Sequence, residues 1–250
     1  MTDIHCHILP GIDDGAAAMD EALEMARMAR DSGVRRIIAT PHCNLPGLGN
    51  YRSADLDKRF AMLQQAVYQA GIDIEILPGA EVLGSAQIPQ LLETNRLQTL
   101  AGSRYLLMEF FFDESLEEMD YLLGTVYRSG LIPVVAHPER YEAVQQQPMT
   151  VARWFHSGYV IQVNKGSLLG RLGRRAKAAA DWILDRQLAH VIASDAMAPS
   201  GAPLTCRSCS IIWTSDTEAS IQTSFSTPIP AASRRTVPSC WPTNCKRGTT

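Results

Sequence analysis

The amino-acid sequence predicts an α/β protein, a distorted TIM-like barrel of seven βα units. Up to about residue 195, short β-rich runs alternate with amphipathic stretches, a pattern typical of a parallel sheet built from βα units. Several predicted helices are followed by a glycine, where a left-handed C-cap is needed. These glycines are Gly33, Gly71, Gly130 and Gly158. No glycine-rich dinucleotide-binding loop occurs, which favours a barrel over a doubly wound sheet.

Seven apolar, β-rich runs are predicted to be strands. In chain order they comprise residues 2–4, 36–39, 72–77, 105–108, 132–136, 160–163 and 189–193. Between them, apolar side chains recur every three or four positions, which predicts helices with one buried face. The stretches with the clearest period are residues 19–30, 59–70, 116–127 and 174–188.

Composition limits the classes of function. The 250 residues include 23 basic and 26 acidic side chains, a net charge of −3, so nothing indicates a binding partner that is nucleic acid or anionic membrane. No run approaches the ~20 apolar residues that cross a bilayer. The first five residues also lack the basic and then apolar pattern of a signal peptide. We therefore expect a cytoplasmic protein without a membrane span.

The cysteines argue against two further classes. Six cysteines in 250 residues are too few for a disulfide framework, and we expect reduced thiols. A cysteine-nucleophile phosphatase needs an arginine six positions after the nucleophile to bind phosphate. Ile12 and Gly49 stand at those positions after Cys6 and Cys43, which argues against this chemistry.

Polar residues follow the predicted strands, at the end where parallel barrels carry their reactive groups. His5 and His7 lie two residues apart and so face the same side of a strand, a spacing that suits metal chelation. Two exposed histidines at a strand end are the alternative, but the other strand ends carry further ligand types. They are Asp14 in the following loop, His42, Glu81, Glu109, His137, Asn164 and Asp195. Mixed histidine and carboxylate donors favour Mn, Fe or Zn, held as two or three ions by bridging carboxylates.

The segment Asp3-Ile4-His5-Cys6-His7-Ile8-Leu9-Pro10-Gly11-Ile12-Asp13-Asp14-Gly15 and the later polar segments resemble the PHP (polymerase and histidinol phosphatase) superfamily. The chain is most similar to its manganese-dependent bacterial protein-tyrosine phosphatases of the CpsB/CapC type. The resemblance covers residues 1 to about 196. It implies a PHP-type barrel, a trinuclear metal site and a role with a tyrosine autokinase in capsule and exopolysaccharide production.

The resemblance also implies ligands and roles. It assigns His5, His7, Glu81 and Asp195 to one metal, Glu81, Glu109 and His137 to a second, and Asp14 and His42 to part of a third. A metal-activated hydroxide would then attack the phosphotyrosine phosphate. Arg140, Asp14 and Glu109 are assigned to catalysis. Arg140 is expected to bind phosphate oxygens as a bidentate fork, the alternative being a surface salt bridge with Glu139.

The resemblance ends after Asp195-Ala196, where the family has a histidine that completes the third metal site and this chain has Met197. From there Ser, Thr and Pro are frequent and no helix or strand period persists. We predict a phosphatase barrel at residues 1–196 and an aberrant, disordered tail at 197–250. Two alternatives stay open: a small-molecule phosphatase of the histidinol-phosphatase type, and a remnant whose catalysis is impaired by the loss of the histidine.

A frameshift explains the change of pattern. The codons GAT GCC CAT GGC ACC GAG CGG CGC CC encode Asp-Ala-His-Gly-Thr-Glu-Arg-Arg-Pro, a continuation similar to the family. Deletion of one C gives GAT GCC ATG GCA CCG AGC GGC GCC C, which encodes the residues found at 195–202 and supplies the first base of a codon for Pro203. We therefore interpret residues 197–250 as a frameshift product, and sequencing the gene across codon 197 tests this interpretation.

Overall fold

The computed structural model describes residues 1–197, so the predicted tail lies outside the described residues apart from Met197. In this part of the chain the strands are β1 (Thr2–Cys6), β2 (Arg36–Ala39), β3 (His42–Cys43), β4 (Glu75–Pro78), β5 (Glu81–Leu83), β6 (Tyr105–Glu109), β7 (Ile132–Ala136), β8 (Val160–Asn164) and β9 (Val191–Ala193). The helices are α1 (Met19–Asp31), α2 (Ala54–Gln69), α3 (Ile88–Glu93), α4 (Leu116–Arg128), α5 (Glu142–Gln146), α6 (Met149–His156), α7 (Lys165–Leu168) and α8 (Arg174–Asp185). No helix among these residues is long and apolar enough to cross a membrane.

The strands form two parallel sheets, ordered β1-β2-β4 and β3-β5-β6-β7-β8-β9. Only two residues separate β2 from β3, and only two separate β4 from β5. Backbone hydrogen bonds from Asp195 to the His5 carbonyl (2.9 Å) and from His7 to the Ala196 carbonyl (3.0 Å) connect the end of the last strand to the first. The predicted distorted barrel of βα units is thus confirmed, and its distortion lies in two strands that are each broken into two pieces.

Each break in the strands has a structural cause. Between β2 and β3 stands Pro41, which has no N–H to donate to a ladder. Between β4 and β5 stands Gly79, where an added Cβ would lie 2.7 Å from Cγ2 of Ile38. The second break therefore requires a glycine, because the neighbouring strand approaches too closely for a side chain.

Most predicted elements lie within a few residues of the observed ones, and the differences have physical reasons. The strand predicted at 72–77 begins only at Glu75, because the Ile74 N–H bonds to the Ile72 carbonyl (2.8 Å) in a tight turn. The helix predicted at 59–70 begins earlier, at Ala54, where the Ser53 hydroxyl caps it by accepting from the Leu56 N–H (3.2 Å). The glycines predicted to end helices all have positive φ.

The barrel interior has an apolar layer below its polar end. On β6, Leu107 and Glu109 are two residues apart and so face the same side, and Leu107 is fully buried with Val134 of β7 and Val191 of β9. Outside the barrel, helices cover the sheets, and the largest buried side chain there is Trp154 of α6. The polar groups at the strand ends consequently rest on a dry, packed layer.

A buried carboxyl group links the first and last strands. Asp3 on β1 is 3% exposed, and its Oδ1 accepts hydrogen bonds from the backbone N–H groups of His5 (3.4 Å) and Ser194 (3.1 Å). The Ser194 hydroxyl donates in turn to the His5 carbonyl (3.2 Å). Burial raises the pKa of Asp3. Asp3 therefore holds the ring of strands together beside the metal-binding motif.

We predict that Asp3→Ala lowers the free energy of unfolding by about 1–3 kcal/mol, because it leaves the partly buried Ser194 N–H without its acceptor. Asp3→Asn keeps an acceptor oxygen and should lose less. Urea denaturation of the full chain, followed by circular dichroism, measures both variants. Equal stability of wild type and Asp3→Ala would contradict the role given to Asp3.

Candidate metal centre

The predicted ligands converge at one end of the barrel. The strand ends bring together His5, His7, His42, Glu81, Glu109, His137 and Asp195, with Asp14 from the loop after β1. The side chains of His5, His7 and Glu81 are at most 1% exposed, whereas that of Asp14 is 67% exposed. The structure therefore assembles every predicted ligand, with Asp14 at the mouth.

Four candidate donor atoms lie close together. His5 Nε2 lies 3.3 Å from His7 Nε2, and Glu81 Oε2 lies 3.2 Å from both nitrogens. Asp195 Oδ1 lies 3.4 and 3.5 Å from the same nitrogens. His5, His7 and Glu81 can act together as one ligand set, with ligand atoms within 4.8 Å of one another, and nitrogen and carboxylate oxygen are donors that bind zinc and similar cations. This donor set fits a divalent cation.

The Nδ1 atoms of His5 and His7 lie on the opposite side of each ring from Nε2 and contact hydrogen-bond acceptors. His5 Nδ1 lies 2.9 Å from Gln162 Oε1, and His7 Nδ1 lies 2.9 Å from Asp13 Oδ2. Because both partners accept, each Nδ1 carries a proton and the Nε2 lone pairs are available to a metal ion. The sequence predicted neither role. Gln162 could have been noticed as a polar residue within a buried strand, and Asp13 as the first acid of the Asp13-Asp14 pair.

A second group of donors surrounds the other side of Glu81. His42 Nδ1 lies 2.8 Å from Glu109 Oε1 and 3.1 Å from Glu81 Oε2. His137 Nε2 lies 2.9 Å from Glu81 Oε1, and His137 Nδ1 is buried without a hydrogen-bond partner in the described part of the chain. His42, Glu81 and Glu109 lie close enough together to act as one ligand set. His137 belongs to a different set, with His5 and Asp195.

The third predicted set is the most exposed. Asp14 Oδ1 lies 3.4 Å from His42 Nε2, and these two residues form a ligand group with His7. Met197, where the sequence resemblance implies a histidine, supplies only a thioether, a soft ligand that hard cations such as Mn²⁺ disfavour. The third set is thus left with fewer suitable donors than the first.

The charges of the cluster are mutually dependent. Burial lowers the pKa of His5, but the carboxylates of Glu81 and Asp195 outweigh it and raise the pKa to about 9. For His42, the hydrogen bonds with Glu109 and Glu81 likewise overcome burial and raise the pKa to about 10. Burial raises the pKa of Asp195, yet the charge of His5 holds it at about 2. In the metal-free protein, protons on the imidazoles therefore balance the buried carboxylates.

Unusual backbone conformations position several ligands. His137 (φ 32°) and Asp195 (φ 47°) lie in the left-handed region, which costs about 1–3 kcal/mol for each such residue. Gly15 packs directly on His7, since an added Cβ would lie 2.0 Å from the His7 carbonyl oxygen. The surrounding fold thus offsets local strain at the positions where donors must point inward.

Arg140 lies at the rim of the cluster. Its Nη1 is 3.3 Å from Asp195 Oδ2, and its guanidinium group lies 4.4 Å from the centre of the Phe112 ring. Glu139, the partner considered in the alternative, is fully buried and accepts from the backbone N–H of Asn164 (2.9 Å). The alternative of a surface salt bridge with Glu139 is therefore wrong, because Arg140 contacts a predicted metal ligand instead.

Comparisons with known proteins agree with this geometry. The sequence profile of the family "Capsular polysaccharide synthesis, CpsB/CapC" matches residues 1–220, past the domain boundary predicted at 196. The chain is 36% identical over 196 residues to the tyrosine-protein phosphatase YwqE of Bacillus subtilis, covering 78% of this chain and 77% of that protein. It is 30% identical over 200 residues to the tyrosine-protein phosphatase CpsB of Streptococcus pneumoniae, covering 78% of this chain and 82% of that protein.

A solved structure is also similar. It comes from work on YwqE of Bacillus subtilis and CpsB of Streptococcus pneumoniae, described there as unique metal-dependent tyrosine phosphatases. It superimposes with a TM-score of 0.75 at 36% identity, and covers 80% of this chain and 81% of that one.

We predict that Mn²⁺ binding releases protons from the cluster. Metal ligation needs neutral imidazoles, whereas His5 and His42 have pKa values of about 9 and 10 without metal. Affinity should therefore rise between pH 7 and pH 9, by up to about tenfold per pH unit for each displaced proton. Titration calorimetry in two buffers of different protonation enthalpy counts the protons.

His156 is exposed and distant from these ligands in sequence, so His156→Ala is the matched control and should leave the proton count unchanged. Affinity that does not change with pH, with no proton release, would contradict the charge balance described above.

Proposed function

The chain belongs to the CpsB/CapC family of capsular polysaccharide synthesis, and from this premise we propose that it is a metal-dependent phosphatase that hydrolyses phosphotyrosine on proteins. The observation that carries the proposal is the convergence of two imidazole and two carboxylate groups at the barrel end. The relatives named above are tyrosine phosphatases, a similar solved structure is described as metal-dependent, and these donor types suit a divalent cation.

We propose Mn²⁺ as the cation, with Fe and Zn as alternatives, in two to three sites. His5, His7, Glu81 and Asp195 would hold the first ion. Glu81 and Glu109 with His42 or His137 would hold the second, and Asp14 and His42 part of the third. Bound there, such cations lower the pKa of water and neutralise phosphoryl oxygens, which favours attack on a phosphate dianion.

The chain's own residues orient the substrate. Arg140 is anchored through Nη1 to Asp195 and supported by the Phe112 ring, and we propose that its remaining N–H groups bind phosphate oxygens. Phe110 is buried in the core, whereas Phe111 and Phe112 are each 47% exposed. The sequence left open whether this aromatic run packs in the core or receives a tyrosine ring, and exposure favours the second role for Phe111 and Phe112.

Two carboxyl groups complete the proposed catalytic set. Glu109 accepts a hydrogen bond from His42 Nδ1 (2.8 Å), which holds the imidazole in place. Asp14 lies at the exposed mouth, 3.4 Å from His42 Nε2. We propose that Asp14 takes part in catalysis through this contact, as a ligand that would help to hold the third ion.

The proposal includes a biological setting. The family description names capsular polysaccharide synthesis, and we propose that the substrate is a bacterial tyrosine autokinase of capsule or exopolysaccharide production. A cytoplasmic location is part of the same proposal. It is supported by Cys6 and Cys43, which are buried free thiols in the described part of the chain.

We also propose that the phosphatase barrel comprises residues 1–196 and that residues 197–250 are a frameshift product. Ala196 forms an isolated parallel bridge with Cys6, which is the last strand-like contact along the described part of the chain. The position of this contact supports a boundary directly after Ala196. Because the donors from His5 to Asp195 precede the boundary, we expect catalysis to persist in the chain despite Met197.

We predict that the full chain with Mn²⁺ hydrolyses a phosphotyrosine peptide and that EDTA abolishes turnover. The double variant His5→Ala/His7→Ala removes two of the four inner donors, so it should lower kcat/KM by at least ~10²-fold. Phosphate release from the peptide and from histidinol phosphate, measured under the same conditions, tests the substrate class.

Turnover that survives both EDTA and the double substitution would show that the metal cluster is not the catalyst. Faster hydrolysis of histidinol phosphate than of the peptide would overturn the assignment to protein substrates.

A further inference from the structure

We propose that a groove between α5 and α8 binds acidic side chains next to the phosphotyrosine, so that the enzyme selects phosphotyrosines in acidic segments. This inference rests on the proposed function and adds the class of sequence that the site accepts. It depends on three observations: the groove is continuous with the metal centre, it is cationic, and two of its three arginines, Arg174 and Arg175, have no partners in the described part of the chain.

The groove consists of two adjoining clefts. The inner cleft, of about 490 Å³, is lined by Phe112 and Arg140 at one end and by Arg174 and Arg175 at the other. The outer cleft, of about 380 Å³, continues beside Arg175 to Trp182. Both clefts share Glu142, Gln145 and Arg175, so they form one channel along the surface.

The inner end of the groove reaches the metal centre. Arg140 lines the groove, and its Nη1 also lies 3.3 Å from Asp195 Oδ2, while the other oxygen of this carboxylate, Oδ1, is one of the four inner donors. The Glu142 N–H donates to the Phe112 carbonyl (2.8 Å), which fixes the aromatic residue against α5. A peptide whose phosphotyrosine occupies the metal centre would therefore lay its flanking residues along the groove.

The charge of the groove is complementary to an acidic peptide. Its lining carries three guanidinium groups, from Arg140, Arg174 and Arg175, against the single carboxylate of Glu142. Within residues 1–197, Arg174 and Arg175 are exposed and form neither a hydrogen bond nor an ion pair. Lys177 on the same helix, by contrast, binds Asp181 (2.9 Å).

The fold does not need these two arginines. They occupy the first turn of α8, which contains no acidic residue, and positive charges there oppose the helix dipole. Guanidinium groups without an intramolecular role, aimed along a channel to the active site, are suited to bind carboxylates of a substrate. Acidic side chains flanking the phosphotyrosine are the occupants to which we commit.

Equilibrium binding tests the groove without depending on turnover. Fluorescence anisotropy of the full chain with Mn²⁺ compares two peptides that carry a non-hydrolysable phosphonate analogue of phosphotyrosine, one flanked by Glu and Asp, the other by Gln and Asn. An exposed ion pair changes an equilibrium constant by about two- to fivefold, so two pairs should give the acidic peptide about tenfold tighter binding. In Arg174→Ala/Arg175→Ala that ratio should fall to about one.

Further variants separate the groove from general charge. Arg171 is exposed and close in sequence but lines neither cleft, so Arg171→Ala should keep the preference. Arg174→Glu/Arg175→Glu should prefer a peptide flanked by lysines, and Glu142→Gln should bind the acidic peptide more tightly. Circular dichroism confirms that each variant is folded.

Equal or undetectable binding of both peptides by wild type would overturn the proposal, as would a preference retained in Arg174→Ala/Arg175→Ala. An acidic preference in a chain that does not hydrolyse phosphotyrosine would support the groove and count against the proposed function. Hydrolysis of phosphotyrosine without a preference for the acidic peptide would support the proposed function and count against the groove. Failure of the groove and failure of the proposed function therefore give different results.

Discussion

The carboxylate of Glu81 is buried at the barrel end and lies within 3.2 Å of nitrogen atoms on four histidines. Its Oε2 contacts His5, His7 and His42, and its Oε1 contacts His137. A buried carboxylate is stable only when opposite charge or a metal ion balances it. The imidazoles supply this charge as protons, and a bound cation replaces those protons. The surrounding histidines therefore lie where they can neutralise the negative charge of Glu81.

The distortion of the barrel follows from this arrangement. His42 and Glu81 are the first residues of β3 and β5, and they face each other in the parallel register of these strands. Both strands exist as separate pieces because the chain breaks at Pro41 and Gly79. The breaks thereby place an imidazole and the central carboxylate side by side. His137 and Asp195 reach the same point through left-handed backbone conformations just after β7 and β9.

The sequence predicted where the candidate ligands lie better than it predicted the contacts that link them. Histidines and acids directly after apolar runs mark strand ends, which is why His5, Glu109 and Asp195 were assigned correctly to one end of the barrel. The broken strands depend on how closely Ile38 approaches Gly79, a tertiary contact with no period in the sequence. Gln162 was missed for the same reason, since its role comes only from a histidine more than a hundred residues away.

Diffraction from crystals of the full chain soaked with Mn²⁺ tests the central claim most directly, because manganese scatters anomalously. We predict a strong anomalous peak within bonding distance of His5 Nε2, His7 Nε2 and Glu81 Oε2, on the side of these atoms that faces Asp195, and the loss of that peak in Glu81→Ala. A peak that persists in Glu81→Ala would contradict the central role of this carboxylate. No peak at this point with saturating Mn²⁺ would contradict the metal centre itself.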